Sequence, residues 1–230
     1  MEKAKTGIMG FDRLVSGGFP TGSTNLIGGA PGTGKTIFAL EYIYNGAAKF
    51  GEKGLYITIE ESIDRLKKQA AQFGWDFDSL EKKGTAKIIH ISTESIKENV
   101  AENIVSIIKK GGYVRVVVDS ISALAINTPN SFGSLTDINE FFIKRFMYIF
   151  IRRLAKSGAT SLLVSQTTDS SLSSDGVSEF ICDGVINIKY ESLGGNYSRY
   201  LAIRKMREVN HDEDIHPIEI KAGIAVHKLS

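Results

Sequence analysis

Two kinds of hydrophobic pattern alternate along this chain. Short apolar runs rich in β-branched residues occupy 23–27, 55–59, 87–91, 113–118 and 160–165, the length and composition of strands buried on both faces. Between them, 36–48, 62–73, 95–110 and 135–157 repeat apolar residues every three or four positions, which predicts amphipathic helices. Residues 75–78 lead into a second short helical turn predicted before 87. Glycines punctuate the changes at Gly51 and Gly54, at Gly74 and at Gly111-Gly112. Strands that alternate with helices need crossover connections, so the pattern predicts a mainly parallel sheet flanked by helices, an α/β fold.

The rhythm changes after residue 184. Segments 185–190, 197–206, 215–220 and 224–227 read as strands separated only by turns, at Gly194-Gly195, 210–214 and 221–223. Such short connections join antiparallel neighbours, so these strands extend the sheet as hairpins. Ahead of the first strand, 6–22 reads as a short helix and a turn-rich lead-in that covers one edge of the site. The helix at 135–157 is expected to bury Ile138, Phe142, Phe146, Ile149 and Leu154, with Phe141, Tyr148 and Phe150 as further core aromatics. Lys144, Arg145, Arg152 and Arg153 form its solvated face. Residues 127–136 are a polar loop, and 167–179, almost devoid of apolar content, reads as a mobile one.

Chemistry enters at the first strand-to-helix junction. Gly29-Ala30-Pro31-Gly32-Thr33-Gly34-Lys35-Thr36 satisfies G-x-x-x-x-G-K-[ST] at every fixed position, between a predicted strand and a predicted helix. The glycines let successive backbone N–H groups converge on an anion, Lys35 supplies a cation for the β and γ phosphates, and the Thr36 hydroxyl suits Mg²⁺. Other strands then deliver polar residues to their carboxyl ends, where open parallel sheets bind ligands. The strand at 55–59 delivers Glu60 and Glu61, the first to polarise an attacking water. The strand at 113–118 ends in Asp119, the Walker B position that completes the Mg²⁺ shell opposite Thr36. The strand at 160–165 delivers Gln166, placed to sense a γ phosphate and pass its loss to the following loop. Lys205 and Arg207, two apart on a strand, face the same way and can clamp phosphate oxygens, with room to serve a neighbouring subunit's nucleotide. His90 reads as a half-buried strand residue, and neither it nor His211, His216 or His227 has metal-ligand spacing.

Composition narrows the setting. At 230 residues and 42% hydrophobic content, the chain predicts one domain spanning 1–230. A net charge of +2 demands no anionic partner. The lone Cys182 has no intramolecular disulfide partner, residues 1–6 form no apolar signal segment, and no run is long enough to span a bilayer. A cytoplasmic protein without membrane contact is expected.

Together, Thr6-Gly7-Ile8 with Phe11-Asp12, the Gly29 to Thr36 loop, Ile59-Glu60-Glu61-Ser62, Phe73-Gly74-Trp75-Asp76, Val116 to Ser120, Gly158-Ala159-Thr160 and Lys205-Met206-Arg207 resemble the RecA superfamily, within it the KaiC and RadA-paralogue branch. The resemblance covers 6–228. It implies a RecA-like P-loop domain that hydrolyses ATP with Mg²⁺ at nucleotide-bridged interfaces of a homo-oligomer. Glu60 and Glu61 match its paired catalytic glutamates; Lys205 and Arg207 match the pair that reaches the adjacent nucleotide. The loops after Asp119 and Gln166 match the DNA-binding loops of recombinases, so single-stranded DNA and a recombinase are the partners this branch implies. The other reading it supports is a signalling ATPase that acts on a protein without DNA. Glu208 departs from the family, which commonly has Gly there. A single ATPase unit, unlike double-domain KaiC, carries no implication of clock function.

Overall fold

A computed structural model describes residues 2–128, 136–167, 171–190 and 198–228, with the side chains of 136–139 excepted. The expectations for the loop at 129–135, the middle of the loop at 168–170, the Gly194-Gly195 turn, Tyr197 and the burial of Ile138 lie outside the described residues.

The chain begins with a two-residue ribbon, β1 (Lys3–Ala4) against β2 (Phe19–Pro20), around a 3₁₀ turn at Asp12–Val15. There follow β3 (Thr24–Gly29), α1 (Lys35–Lys49), β4 (Gly54–Thr58), α2 (Ile63–Ala71), α3 (Phe77–Lys82) and β5 (Ala86–His90). Next come α4 (Val100–Gly111), β6 (Arg115–Asp119), α5 (Ile121–Ile126), α6 (Thr136–Ala155), β7 (Thr160–Gln166), α7 (Ser178–Ile181), β8 (Gly184–Tyr190), β9 (Arg199–Met206), β10 (Ile215–Ile220) and β11 (Ile224–Val226). Among the described residues one nine-stranded sheet runs in the order β11-β10-β9-β8-β3-β7-β6-β4-β5. Strands β8 to β5 in that order are parallel, and β9, β10 and β11 continue antiparallel. This is the predicted α/β architecture.

The sheet divides the core in two. One face packs α1, α2 and α3 through Phe38, Tyr42, Leu66 and Phe77; the other packs α4, α5 and α6 through Ile104, Leu124, Phe150 and Leu154. Val116, Val117 and Val118 are wholly buried, as β-branched residues of a strand covered on both faces should be. Arg115, also wholly buried, is neutralised by Glu52 at 2.5 Å and donates to the carbonyls of Tyr42 and Lys5 at 3.2 and 2.6 Å. Its guanidinium also lies over the Tyr42 and Phe50 rings, so it locks the N-terminal segment to α1. The 6–22 segment covers the flank of α1, where Phe11 meets Phe38 and Phe19 meets Tyr42, rather than the phosphate loop.

Several expectations need correction. The helix expected from residue 95 starts at Val100, because Ser92 caps a separate 3₁₀ turn at Thr93–Ser95 and Ile96 is extended. Helix α6 buries Phe150 and Leu154 as expected and departs from its expected facing elsewhere. Met147, Phe150, Ile151 and Leu154 take the core, Phe142, Phe146 and Ile149 are half-buried, and Phe141 and Tyr148 stand 61% and 51% exposed. His90 is exposed rather than half-buried. The described part of the supposedly mobile loop is cross-linked. Asp175, buried, accepts from the Val177 and Ser178 N–H groups at 2.9 and 2.7 Å and from the Ser178 hydroxyl at 2.8 Å. Leu172 and Val177 also pack against the core, so side-chain to backbone bonds and two apolar contacts together order this mostly polar stretch.

Candidate functional site

The parallel strands end in a row: Gly29 on β3 lies level with Gln166 on β7, and Asp119 on β6 lies level with Thr58 on β4. Four of the motifs read from sequence therefore meet at one edge of the sheet.

The phosphate loop joins β3 to α1. Gly34, the residue before the helix, has φ of 110°, and a Cβ there would lie 2.7 Å from Ile220 Cδ1, so only glycine fits. Thr33 N–H and hydroxyl and the Lys35 ammonium converge on the Ala30 carbonyl, Lys35 at 2.8 Å. Burial pushes the Lys35 ammonium below the usual lysine range, and the charges of Asp119 and Glu60 oppose that shift. Gly32, Gly34, Lys35, Thr36, Ile37, Glu61 and Gln69 line a cavity of about 220 Å³. Tyr190, at the end of β8, donates to the Gly32 carbonyl at 2.7 Å, and Arg199 donates to the Tyr190 hydroxyl at 2.7 Å.

Thr36 and Asp119 meet as expected: the hydroxyl donates to Asp119 Oδ2 at 2.9 Å. Tyr56 on β4 donates to the same oxygen at 2.5 Å. Burial raises the Asp119 carboxyl above its ordinary range, while the two hydroxyl donors pull it back. A hydroxyl and a carboxylate this close form an all-oxygen donor pair, the kind suited to a hard cation that keeps most of its water. Thr36 and Asp119 thus fit Mg²⁺. Among the described residues no group of three or more His, Cys, Asp and Glu could hold a metal alone.

Glu60 and Glu61 diverge. Glu60 leaves β4 exposed at the crevice, accepts from the Ser120 hydroxyl at 2.6 Å and lies 3.3 Å from the Gln166 amide. Ser120 also caps α5 by accepting from the Ala123 N–H at 3.2 Å, so the start of that helix fixes the hydroxyl beneath Glu60. Glu61 turns toward Arg65, 3.5 Å away on α2. Behind Gln166 lies a hydroxyl chain: its N–H donates to Ser122 Oγ at 2.8 Å, and Ser174 donates to Ser122 at 2.9 Å. The loop at 171–178 is thereby joined to the residue beside Glu60.

Lys205 and Arg207 are not at this edge. Lys205 pairs with Val185, at the amino end of β8, about 16 Å along that strand from Tyr190. Its ammonium donates to the carbonyls of Glu179, Phe180 and Cys182, and Arg207 donates to those of Phe180 and Ile181 and lies 3.3 Å from Asp183. Sequence reasoning missed Tyr56, Ser120 and Ser122; the one available signal was a polar tip inside an otherwise apolar strand.

This arrangement can be set beside known proteins. The family described as KaiC-type ATPase matches residues 4–230. The chain belongs to the KaiC ATPase family. Within it, a UPF0273 protein of Thermotoga maritima is 34% identical over 99% of this chain and 96% of its own length. The circadian clock oscillator protein KaiC of Thermostichus vulcanus is 31% identical over all of this chain, which spans 45% of that protein. A solved KaiC-like protein of Pyrococcus horikoshii superposes with a TM-score of 0.86 at 36% identity, covering 99% of both chains. These matches fall on the KaiC side of the expected resemblance, and the RecA-type fold is shared. Among the described residues of this KaiC-family chain no helix is long and apolar enough to cross a membrane.

Proposed function

We propose that this chain is a Mg²⁺-dependent ATP hydrolase that couples turnover to a protein partner. The observation that carries the reading is Glu60, held by Ser120 and Gln166 at the strand ends that also present the phosphate loop and Asp119. In this reading the loop N–H groups and Lys35 bind the phosphates, exchanging the Ala30 carbonyl for phosphate oxygens. Thr36 and Asp119 hold Mg²⁺, which when bound neutralises charge on the β and γ phosphates. Glu60 orients water for attack, Glu61 borders the phosphate-loop cavity, and Gln166 senses the γ phosphate. The cytoplasm is the expected setting.

The test is phosphate release by wild type and Glu60→Gln. Turnover should fall by about a hundredfold or more, while fluorescent ATP binding changes less than about threefold. Equal turnover in the two proteins would remove Glu60 from the chemistry, and a wild type that binds but never hydrolyses would make the chain a nucleotide-gated scaffold.

A protein partner is preferred to nucleic acid on charge. Neither 127–136 nor 167–179 contains Lys or Arg, and the second carries Asp169, Asp175 and Glu179, which repel phosphates. Helix α6 instead exposes Phe141, Arg145, Tyr148 and Arg152, residue types enriched at protein interfaces. A fluorescent oligothymidine titration should show no saturable binding. Tight binding that weakens steeply with salt would restore the recombination reading.

A further inference from the structure

Asp119 Oδ2 takes two hydroxyl donors at once, Thr36 from α1 and Tyr56 from β4. The donors differ in freedom. Thr36 belongs to the phosphate-loop motif, and in the reading above its hydroxyl turns to the metal. Tyr56 is wholly buried, its ring packed in the core between the sheet and α1, so its hydroxyl has little freedom to move. The strand register explains its reach. Tyr56 pairs with Val117 two residues before the Thr58–Asp119 pair, so a side chain longer by one ring and one oxygen arrives beneath the carboxylate from the neighbouring strand.

We propose that Tyr56 is a positioning residue for the metal site: it holds the Asp119 carboxylate in place when the Thr36 hydroxyl leaves it for Mg²⁺. The inference rests on the Mg²⁺·ATP reading and adds a residue that neither the phosphate-loop nor the Walker B pattern contains. Without the phenol, the departure of Thr36 strips Asp119 Oδ2 of both donors in a partly buried place. A carboxylate oxygen left so is costly and is freer to rotate. The penalty therefore falls on the metal-bound state and spares nucleotide binding without metal.

Tyr56→Phe keeps the ring and removes the donor. Fluorescent ATP affinity in excess EDTA should stay within about twofold of wild type, whereas the Mg²⁺ concentration giving half of the metal-dependent fluorescence change should rise about tenfold. Mn²⁺ titration followed by electron paramagnetic resonance, with a non-hydrolysable ATP analogue present, should show the same weakening. In an Asp119→Asn background, Tyr56→Phe should add less than about twofold, because its effect passes through the carboxylate. If Tyr56 served packing alone, Tyr56→Phe would leave the metal half-saturation unchanged, and that result overturns the proposal. An undiminished tenfold effect in the Asp119→Asn background overturns it as well. Failure of wild type to bind nucleotide both in EDTA and with Mg²⁺ present would instead defeat the ATP reading itself. Should Tyr56→Phe be too unstable to titrate, the metal half-saturation of Thr36→Ser, which keeps the hydroxyl donor, against Thr36→Ala decides. If the phenol holds Asp119 by itself, Thr36→Ala loses only the Thr36 ligand and the carboxylate remains a competent partner for Mn²⁺. Loss of all detectable Mn²⁺ binding there would refute the idea.

Discussion

The two ends of one sheet carry opposite chemistry. At the carboxyl ends of the parallel strands, oxygen groups from four elements are bonded to one another: Thr36 and Tyr56 on Asp119, and Ser120 on Glu60. At the amino end, two cations from one strand and its following turn rest on main-chain carbonyls of 179–182. Among the described residues, the first end is rich in acid and has the buried Lys35 at the phosphate loop, and the second has cations and no phosphate cradle. Under the proposed function a second cation would add to Lys35, since charge grows on the terminal phosphate oxygens as the bond breaks. Under the proposed function, the two halves, separated by the length of a strand, would meet head to tail with another copy.

The largest expected effect tests that pairing. Glu60→Gln and Arg207→Ala should each lower turnover by about a hundredfold when alone, because each spoils every interface. Mixed in equal amounts and allowed to reassemble, the two inactive chains should regain up to about a quarter of wild-type turnover, the fraction of interfaces that unite an intact crevice with an intact Arg207. Phosphate release measured across mixing ratios gives the answer. Mixtures as inactive as their parents would mean that the two ends do not cooperate across copies and that Arg207 serves only to brace the 179–183 segment.

The two ends also differ in how far the sequence exposes them. The crevice was legible because its parts are local: a phosphate-loop pattern, and buried strands whose β-branched cores stop at Glu60, Asp119 and Gln166. What joins those parts was not, since the link from Tyr56 to Asp119 depends on the register of β4 against β6, and the link from Ser120 to Glu60 depends on a six-residue helix too short for any periodicity to announce. At the other end, period two put Lys205 and Arg207 on one side of a strand. Only antiparallel pairing with β8 shows that this side lies at the far edge. The facing of helix α6 was legible only in part, at Phe150 and Leu154, for another reason. Its sequence is apolar nearly all round, so the pattern admits several facings, and packing against α4 and α5 selects the one that leaves Phe141 and Tyr148 outward.

A second prediction sharpens the comparison at the crevice end. Glu41 on α1 is buried and accepts the Ile224 N–H at 2.7 Å, and Gly223 passes so close that a Cβ there would lie 3.0 Å from either carboxylate oxygen. The contact fastens the β10–β11 turn to the helix that starts at the phosphate loop. Burial raises the Glu41 carboxyl to about 7 from an ordinary 4.5, against the opposing pull of the Ile224 N–H, Lys49 and Asn45. Between those values the native state keeps a proton that the unfolded chain releases, so stability falls as pH rises from 4.5 to about 7 and is level above. Glu41→Gln keeps an acceptor for Ile224 and cannot ionise. It should flatten this slope and add about 2 kcal/mol at pH 8, read by urea unfolding at pH 5 and pH 8. A variant that keeps the wild-type slope would show that Glu41 is not its source.

The smallest effect belongs to the far end. Glu208 follows Arg207 in the turn after β9 with φ of 62°, the left-handed region that costs an L residue about 1–2 kcal/mol. Glycine escapes that strain but gives up about 0.5–1 kcal/mol to the larger freedom of its unfolded chain. Glu208→Gly should therefore stabilise by only about 0.5 kcal/mol, or about 1–2 °C in melting temperature for a chain of this size. Turnover should change less than about twofold, because Lys205 and Arg207 are held by the carbonyls of 179–182 through their own side chains and not through residue 208. A tenfold rise or fall in turnover at unchanged stability would reverse that conclusion. The backbone turn would then set where the two cations stand, and the far end would depend on conformation as much as the crevice depends on hydrogen bonds.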